Sequence, residues 1–319
     1  ANLPKKGVDY KKEEVLEAVD YLVPTIEIPD SRYKDFITVG EEQLIADNAC
    51  AGWLFIGTPY QKEITTKTDL VNHRVTGYID NEDINEVKKV LKSPFLTKGP
   101  KIEEFEKLFS KKVKSKFAIS CTSGTAALHL VYRSLEITKG DIVISPTLTF
   151  SGTVSPAQIL GADIIFADCD KNTGLINIKS VLEIIQKLIK IKKIKDLKVI
   201  SVVNLNGQTP NLKLLSQLSK KYKFYIIEDA CHSLGSFYEN KKKFPVGSCK
   251  YSDFSTFSFH PVKAITTGEG GMITLNNTKY YNYIKKLRNH NFDYPKKVIK
   301  NKPWFYAIND IFLNYRMSD

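Results

Sequence analysis

Lys263 closes the run Phe257-Ser258-Phe259-His260-Pro261-Val262-Lys263 and opens a turn rich in threonine and glycine, Thr266-Thr267-Gly268-Glu269-Gly270-Gly271. A lysine set after an apolar strand can act as a nucleophile if burial and neighbouring cations free its amine of the proton. By itself such a residue reads as a solvated surface lysine, because lysine is rarely buried. A second group lies upstream in Glu228-Asp229-Ala230-Cys231-His232-Ser233-Leu234-Gly235, behind the apolar run that starts at Phe224. A carboxylate emerging there, such as Asp229, can keep a pyridine nitrogen protonated, since a nearby negative charge favours the cationic form. The plainer alternative is a loop carboxylate satisfied by its neighbours. The third group, Ser123-Gly124-Thr125-Ala126-Ala127-Leu128, opens a helix. Free N–H groups and the positive end of the helix dipole make that junction an anion site, and Gly124 lets a phosphate approach closely. Serine and threonine also cap helices for purely structural reasons.

The elements that must position these groups follow from hydrophobic pattern. From about residue 115, short β-branched runs alternate with helical patterns, which is the signature of a doubly wound α/β domain. Strands are predicted over 116–120, 142–145, 164–167, 199–203, 224–228, 254–259 and 272–275. Helices are predicted over 125–135, 178–189 and 212–221, where apolar residues recur at three- and four-residue steps. In such sheets the ligand sits beyond the carboxyl ends of the strands. The segments 122–125, 149–150, 229–232 and 258–263 each fall at or after a predicted strand end. A phosphate cradle, a pyridinium partner and an amine nucleophile, so placed, are what pyridoxal 5'-phosphate requires of a protein.

Composition narrows the remaining classes. The chain has 319 residues and 42% apolar content, enough for one large or two average domains with a packed core. It has no apolar run of 18 residues and no charged-apolar-small leader, so neither a membrane span nor a secretory signal is expected and the cytoplasm is the default location. Five cysteines (Cys50, Cys121, Cys169, Cys231, Cys249) are odd in number and never form a C-x-x-C pair, which points to reduced thiols and away from disulfides or zinc. The net charge of +12 is spread over lysine-rich stretches such as 187–198 and 241–243 without an aromatic ladder, so no nucleic-acid surface is expected.

The first 80 residues differ in character. Val15, Ala18, Val19 and Leu22 mark an amphipathic helix ending at Pro24. A strand-like run with Glu27 and an apolar stretch ending at Ile56 follow, and the segments 83–91 and 102–109 read as helices leading into the main domain.

From roughly Tyr78 to its last residue the chain resembles the DegT/StrS-type nucleotide-sugar aminotransferases. The resemblance rests on the segments 78–80 and 96–100, the Ser-Gly-Thr-Ala-Ala-Leu run, Ile227-Glu228-Asp229-Ala230, the whole of 257–271, Leu287-Arg288-Asn289-His290 and Asn314-Tyr315-Arg316-Met317-Ser318-Asp319. Within the family it looks most like enzymes acting on UDP-linked 4-keto-6-deoxy hexoses in bacterial surface-sugar pathways. The resemblance implies a fold type I large domain over 77–319, with a mostly parallel seven-stranded sheet and helices on both faces. A small α+β extension over 1–76 would precede it, and the family continues past the motif at 316–319 into a smaller closing domain. By the same resemblance, Lys263 is the Schiff-base lysine and proton shuttle, Asp229 pairs with the ring nitrogen, and His232 lies against the ring or its phenolic oxygen. Phe150 stacks on the ring, and Gly124, Thr125 and Ser258 hold the phosphate. Asn314 belongs to a segment that reaches into the neighbouring subunit's site, which implies a homodimer. The implied reaction is two-stage, with glutamate as amino donor and a nucleotide-linked ketone as acceptor. The family's dehydratase branch carries histidine in place of the lysine, so Lys263 argues against it.

Family members usually carry histidine where this chain has Asn204, a change expected to bear on substrate contacts. The N-terminal stretch 15–56 resembles a piece of the 2-oxopent-4-enoate hydratase and 4-oxalocrotonate decarboxylase family, in which Glu27 would be one of three carboxylates on a divalent metal. The other two are absent, so no metal site is expected and the extension reads as non-catalytic. Two further readings stand beside the aminotransferase: a non-catalytic cofactor- or sugar-binding protein, and a metal-dependent hydratase.

Overall fold

The computed structural model describes residues 81–240, 243–294, 305–308 and 310–319, with side chains from residue 85, together with four short strand segments nearer the N-terminus. The chain divides into two compact units, Ala1–Val87 and Lys88–Asp319. Within the first, Thr25–Ile28 pairs antiparallel with Trp53–Ile56, so the strand-like run around Glu27 and the apolar stretch ending at Ile56 are partners. Tyr21–Leu22 is also a strand, paired with Tyr60–Gln61, which corrects the helix expected to run through Leu22. The approach to Pro24 disfavours helical backbone, and strand pairing wins there. The rest of that helix and the side chain of Glu27 lie outside the described residues.

The second unit is the doubly wound α/β domain. Helix α1 (Asn81–Leu91) runs across the boundary in the chain, and α2 (Pro100–Val113) leads into β1 (Phe117–Cys121) and α3 (Gly124–Ser134). There follow β2 (Ile142–Pro146), α4 (Ser155–Ile159), β3 (Asp163–Ala167), α5 (Ile178–Lys190), β4 (Leu197–Val203), α6 (Leu212–Tyr222) and β5 (Tyr225–Asp229). The chain then forms β6 (Phe254–Ser258), β7 (Gly271–Leu275) and α7 (Thr278–Leu287). The seven strands lie in the order β1-β7-β6-β5-β4-β2-β3. β7 runs antiparallel to both β1 and β6, and the other pairings are parallel.

Successive strand residues enter opposite core layers. Ile142 and Ile144 pack with Val181, Ile185 and Leu188 of α5 and Leu212 and Leu215 of α6, whereas Val143 packs with Ala127, Leu128 and Val131 of α3. Ile226 and Ile227 divide in the same way. Covering both faces explains why the strands read as continuous apolar runs. Each fully buried Ile or Leu contributes roughly 1.5–3 kcal/mol over exposure. Among the described residues, no helix is long and apolar enough to cross a membrane.

Two long-range contacts fix the frame around the strand ends. Gly99 at the N-cap of α2 has no side chain to cap the helix. Instead the Asp319 carboxylate accepts from the Gly99, Lys101 and Ile102 N–H groups at 2.7, 3.0 and 3.3 Å. The second contact is a buried pair in which Arg288 Nη1 donates to Glu106 Oε1 at 2.5 Å and to the Ser120 carbonyl at 2.9 Å, joining the end of α7 to α2 and β1. Glu106 also accepts from the Ser120 N–H and hydroxyl, each at 2.9 Å.

Candidate active site

The start of α3 is built for close approach. Ser123, in extended backbone, caps the helix by accepting from the Ala126 N–H at 3.0 Å. A Cβ on Gly124 would lie 3.0 Å from Cβ of Ser258 and 3.1 Å from Sγ of Cys231, so the helix start, the end of β6 and the loop after β5 meet at a position only glycine fits comfortably. Gly271 is needed for the same reason, since a Cβ there would stand 2.3 Å from the Ser123 carbonyl oxygen. The first turn of α3 therefore packs beside the end of β6 and the start of β7.

Asp229 is the last residue of β5 and is buried. Its Oδ2 accepts from the Thr153 hydroxyl at 2.5 Å and its Oδ1 from the Cys231 N–H at 3.3 Å. Thr153, fully buried, accepts in turn from the Thr149 hydroxyl at 2.7 Å, and its carbonyl takes the Tyr132 hydroxyl at 2.9 Å.

Lys263 sits in a loop closed at its neck. The Phe259 N–H donates to the Gly270 carbonyl at 2.8 Å, and the Phe259 carbonyl accepts from the Thr267 N–H and the Thr266 hydroxyl, both at 3.0 Å. Phe259 is wedged against Phe105 and Phe109 of α2, with ring centroids 5.3 and 5.6 Å apart. The Lys263 N–H returns to the His260 carbonyl at 2.8 Å. Lys263 itself is half-buried, more enclosed than the solvated surface lysine that its type alone suggests.

Electrostatics ties these groups together. Desolvation lowers the pKa of His232 below its ordinary 6.5, the positive charge of Lys263 lowers it further, and Asp229 opposes. Burial raises the Cys231 thiol, and the Asp229 charge raises it again while Lys263 acts in the opposite sense. Cys231 thus touches the position of Gly124, hydrogen-bonds Asp229 and feels Lys263. It stands between the helix start and the carboxylate.

Phe150 is 76% exposed, and its ring lies beside Gly152, where a Cβ would stand 2.8 Å from Thr125 Oγ1 and 3.0 Å from Phe150 Cδ1. The structure therefore brings Gly124, Thr125, Phe150, Asp229, His232, Ser258 and Lys263 into one neighbourhood. Asn314 makes its contacts elsewhere: it is exposed, bridges Asn289, and its side chain accepts from the Arg316 N–H at 3.2 Å. The carbonyl of the next residue, Tyr315, takes the Thr122 N–H at 3.1 Å. Asn204 is fully buried, donating to Glu228 Oε2 at 3.0 Å and Ser233 Oγ at 3.3 Å. Its amide N–H groups thus serve an internal carboxylate and hydroxyl, while its Oδ1 is buried without a hydrogen-bond partner. Sequence reasoning missed Thr153, Tyr132 and the contacts of Cys231. The one available signal was the helical spacing of Thr125 and Tyr132, seven residues apart and so on one face of α3.

Chemically, the arrangement offers an anion cradle, a buried carboxylate, an aromatic face and an amine within one site. Comparison with known proteins shows the family. The profile of the DegT/DnrJ/EryC1/StrS aminotransferase family matches residues 77–319. The UDP-4-amino-4,6-dideoxy-N-acetyl-beta-L-altrosamine transaminase of Campylobacter jejuni subsp. jejuni serotype O:23/36 (strain 81-176) is 40% identical over 241 residues, 76% of this chain and 59% of that protein. Among solved structures, Helicobacter pylori PseC, an aminotransferase involved in the biosynthesis of pseudoaminic acid, superposes with a TM-score of 0.66 at 28% identity, covering 76% of this chain and 60% of that one. The PLP-form of Spr1654 from Streptococcus pneumoniae gives 0.66 at 29% identity, with 76% and 62% covered. The chain thus spans about three fifths of the length of the curated relatives it matches.

Proposed function

Because the chain belongs to the DegT/DnrJ/EryC1/StrS aminotransferase family, we propose that it serves pyridoxal-phosphate-dependent transfer of an amino group from glutamate to the ketone of a UDP-linked sugar in surface-polysaccharide biosynthesis. The portion over 77–319 carries this chemistry, and 1–76 is a non-catalytic extension.

The residues fit the cofactor. Gly124 lets the start of α3 pack against Ser258 and Cys231, and helix N–H groups near the hydroxyls of Ser258 and Thr125 are a donor set that suits a phosphate. Asp229 is buried where a cationic ring nitrogen would offset its charge, and the exposed ring of Phe150 suits stacking. Bound there, pyridoxal phosphate would supply a protonated ring that takes up electrons from the carbon undergoing proton transfer. The protein's part is to orient and to move protons. The Lys263 amine is the nucleophile and then carries a proton to and from the donor's Cα. His232, held towards its neutral form by desolvation and by Lys263, offers a ring nitrogen to a phenolic oxygen. Asn314 would complete the site of a second copy in a homodimer, and the setting is cytoplasmic.

The observation that carries this reading is the junction at Gly124, where the start of α3 meets Ser258 and Cys231, whose N–H is bound to Asp229. To test it, purified protein is mixed with pyridoxal phosphate. A visible absorbance band should form, disappear in Lys263→Ala and bleach with glutamate, and a panel of UDP- and dTDP-linked keto-sugars should then identify the acceptor. A band that glutamate leaves unchanged would mark a binding protein and reject transamination.

A further inference from the structure

We infer that Thr153, backed by Thr149 and Tyr132, is the positioning residue that decides which oxygen of Asp229 meets the cofactor ring, an inference that rests on the aminotransferase reading above. A threonine hydroxyl has one proton to give. Thr153 gives it to Asp229 Oδ2 at 2.5 Å, so the 2.7 Å contact with Thr149 must have Thr149 as donor. The result is a one-way chain, Thr149 to Thr153 to Asp229, ending on a buried carboxylate oxygen. Hydroxyl-to-carboxylate bonds of this length belong to the short, charge-assisted class. With Oδ2 so engaged, Oδ1 is the oxygen turned towards the loop after β5, where it takes the longer 3.3 Å bond from Cys231.

The backbone of Thr153 is fixed as firmly as its side chain. Tyr132 is fully buried on α3 and donates to the Thr153 carbonyl at 2.9 Å. Thr125, in the first turn of the same helix, lies on the same face as Tyr132. Gly152, just before Thr153, packs so closely to Thr125 that a Cβ would stand 2.8 Å from its hydroxyl. One helix therefore carries the anion cradle at its start and anchors the threonine that holds the carboxylate. The separation between the helix start and the Asp229 carboxylate is thus set through α3.

The test uses the 319-residue protein loaded with pyridoxal phosphate labelled with 15N in the ring, read by the 15N resonance and by cofactor affinity. Wild type should show the resonance of a protonated ring. Thr153→Val keeps the side-chain volume and removes the bond; its resonance should move towards the unprotonated position, with affinity weaker on the order of ten-fold. Thr153→Ser should restore both, and Thr149→Val should give a smaller move in the same direction. A threonine with only a structural role would lower the melting temperature without moving the resonance. A folded Thr153→Val protein with the wild-type resonance overturns the inference while leaving the aminotransferase reading intact. Should Thr153→Val not fold, Thr149→Val decides, and an unmoved resonance there overturns the inference. A wild-type protein that takes up no labelled cofactor, or holds it with an unprotonated ring, overturns the aminotransferase reading and this inference with it.

Discussion

Glu228 and Asp229 are consecutive residues of β5, and strand alternation sends them to opposite faces of the sheet. Behind the sheet, Glu228 is fully buried and accepts from Tyr238 at 2.6 Å, Ser255 at 2.9 Å, Asn204 at 3.0 Å and the Ser252 hydroxyl. Burial and then the Glu228 charge push the Cys249 thiol up to about 12, so that thiol stays protonated. On the other face, Asp229 takes the Thr153 hydroxyl and the Cys231 N–H, and its charge is felt by the thiol of Cys231 and the ring of His232. Two identical charges on adjacent residues thus have different uses. One is surrounded by side-chain donors and belongs to the packing. The other is held by one hydroxyl and one backbone N–H and acts on residues that also feel Lys263.

Exchange of each carboxylate for its amide should separate these uses. Asp229→Asn should reduce amino transfer on the order of 10²–10³-fold, the size typical of losing one electrostatic partner in an active site, with little change in melting temperature. An activity loss of only two- or three-fold would erase the distinction. Glu228→Gln should do the reverse, lowering stability in urea titrations by about 1.5–3 kcal/mol through loss of charged hydrogen bonds while activity per folded molecule holds. A third carboxylate gives the scale for plain capping. Asp319→Ala should cost about 1 kcal/mol, the usual value of a helix cap, measured in the same titration.

The smallest effect concerns pH on the Asp229 side. The folded-state pKa of His232 is lowered from 6.5, first by desolvation and then by Lys263. Its neutral form therefore stabilises the fold fully above the unfolded value, and that stability is lost as pH falls from 6.5 through the lower folded value, because the unfolded chain binds the extra proton. His232→Gln should flatten the slope of stability against pH on the acid side of neutrality. An unchanged slope would mean that the histidine is equally solvated in both states.

How much of this was legible in the sequence follows from where each partner lies. All seven strands of the sheet were found within two residues of their ends, because burial on both faces leaves unbroken apolar runs such as Leu197–Val203. The groups of the candidate site could be singled out in the sequence because each follows a strand end. The antiparallel course of β7 was not legible, since the composition of a run carries no direction. Helix α7 was also missed: its Asn277 cap is an ordinary signal, but Tyr280, Tyr281 and Tyr283 make a weak helical pattern. The contacts of Thr153 and Asp319 were invisible for a different reason. Their partners are 76 and up to 220 residues away, and no local spacing rule reaches so far.

The central claim, that three strand ends converge on one cofactor with Lys263 as its amine, is tested most directly by locating the attachment. The protein is incubated with pyridoxal phosphate, reduced with borohydride and digested, and the modified peptides are identified by mass. The expected result is one dominant labelled peptide containing Lys263, lost in Lys263→Ala. Label scattered over surface lysines, or a pattern that Lys263→Ala leaves unchanged, would contradict it.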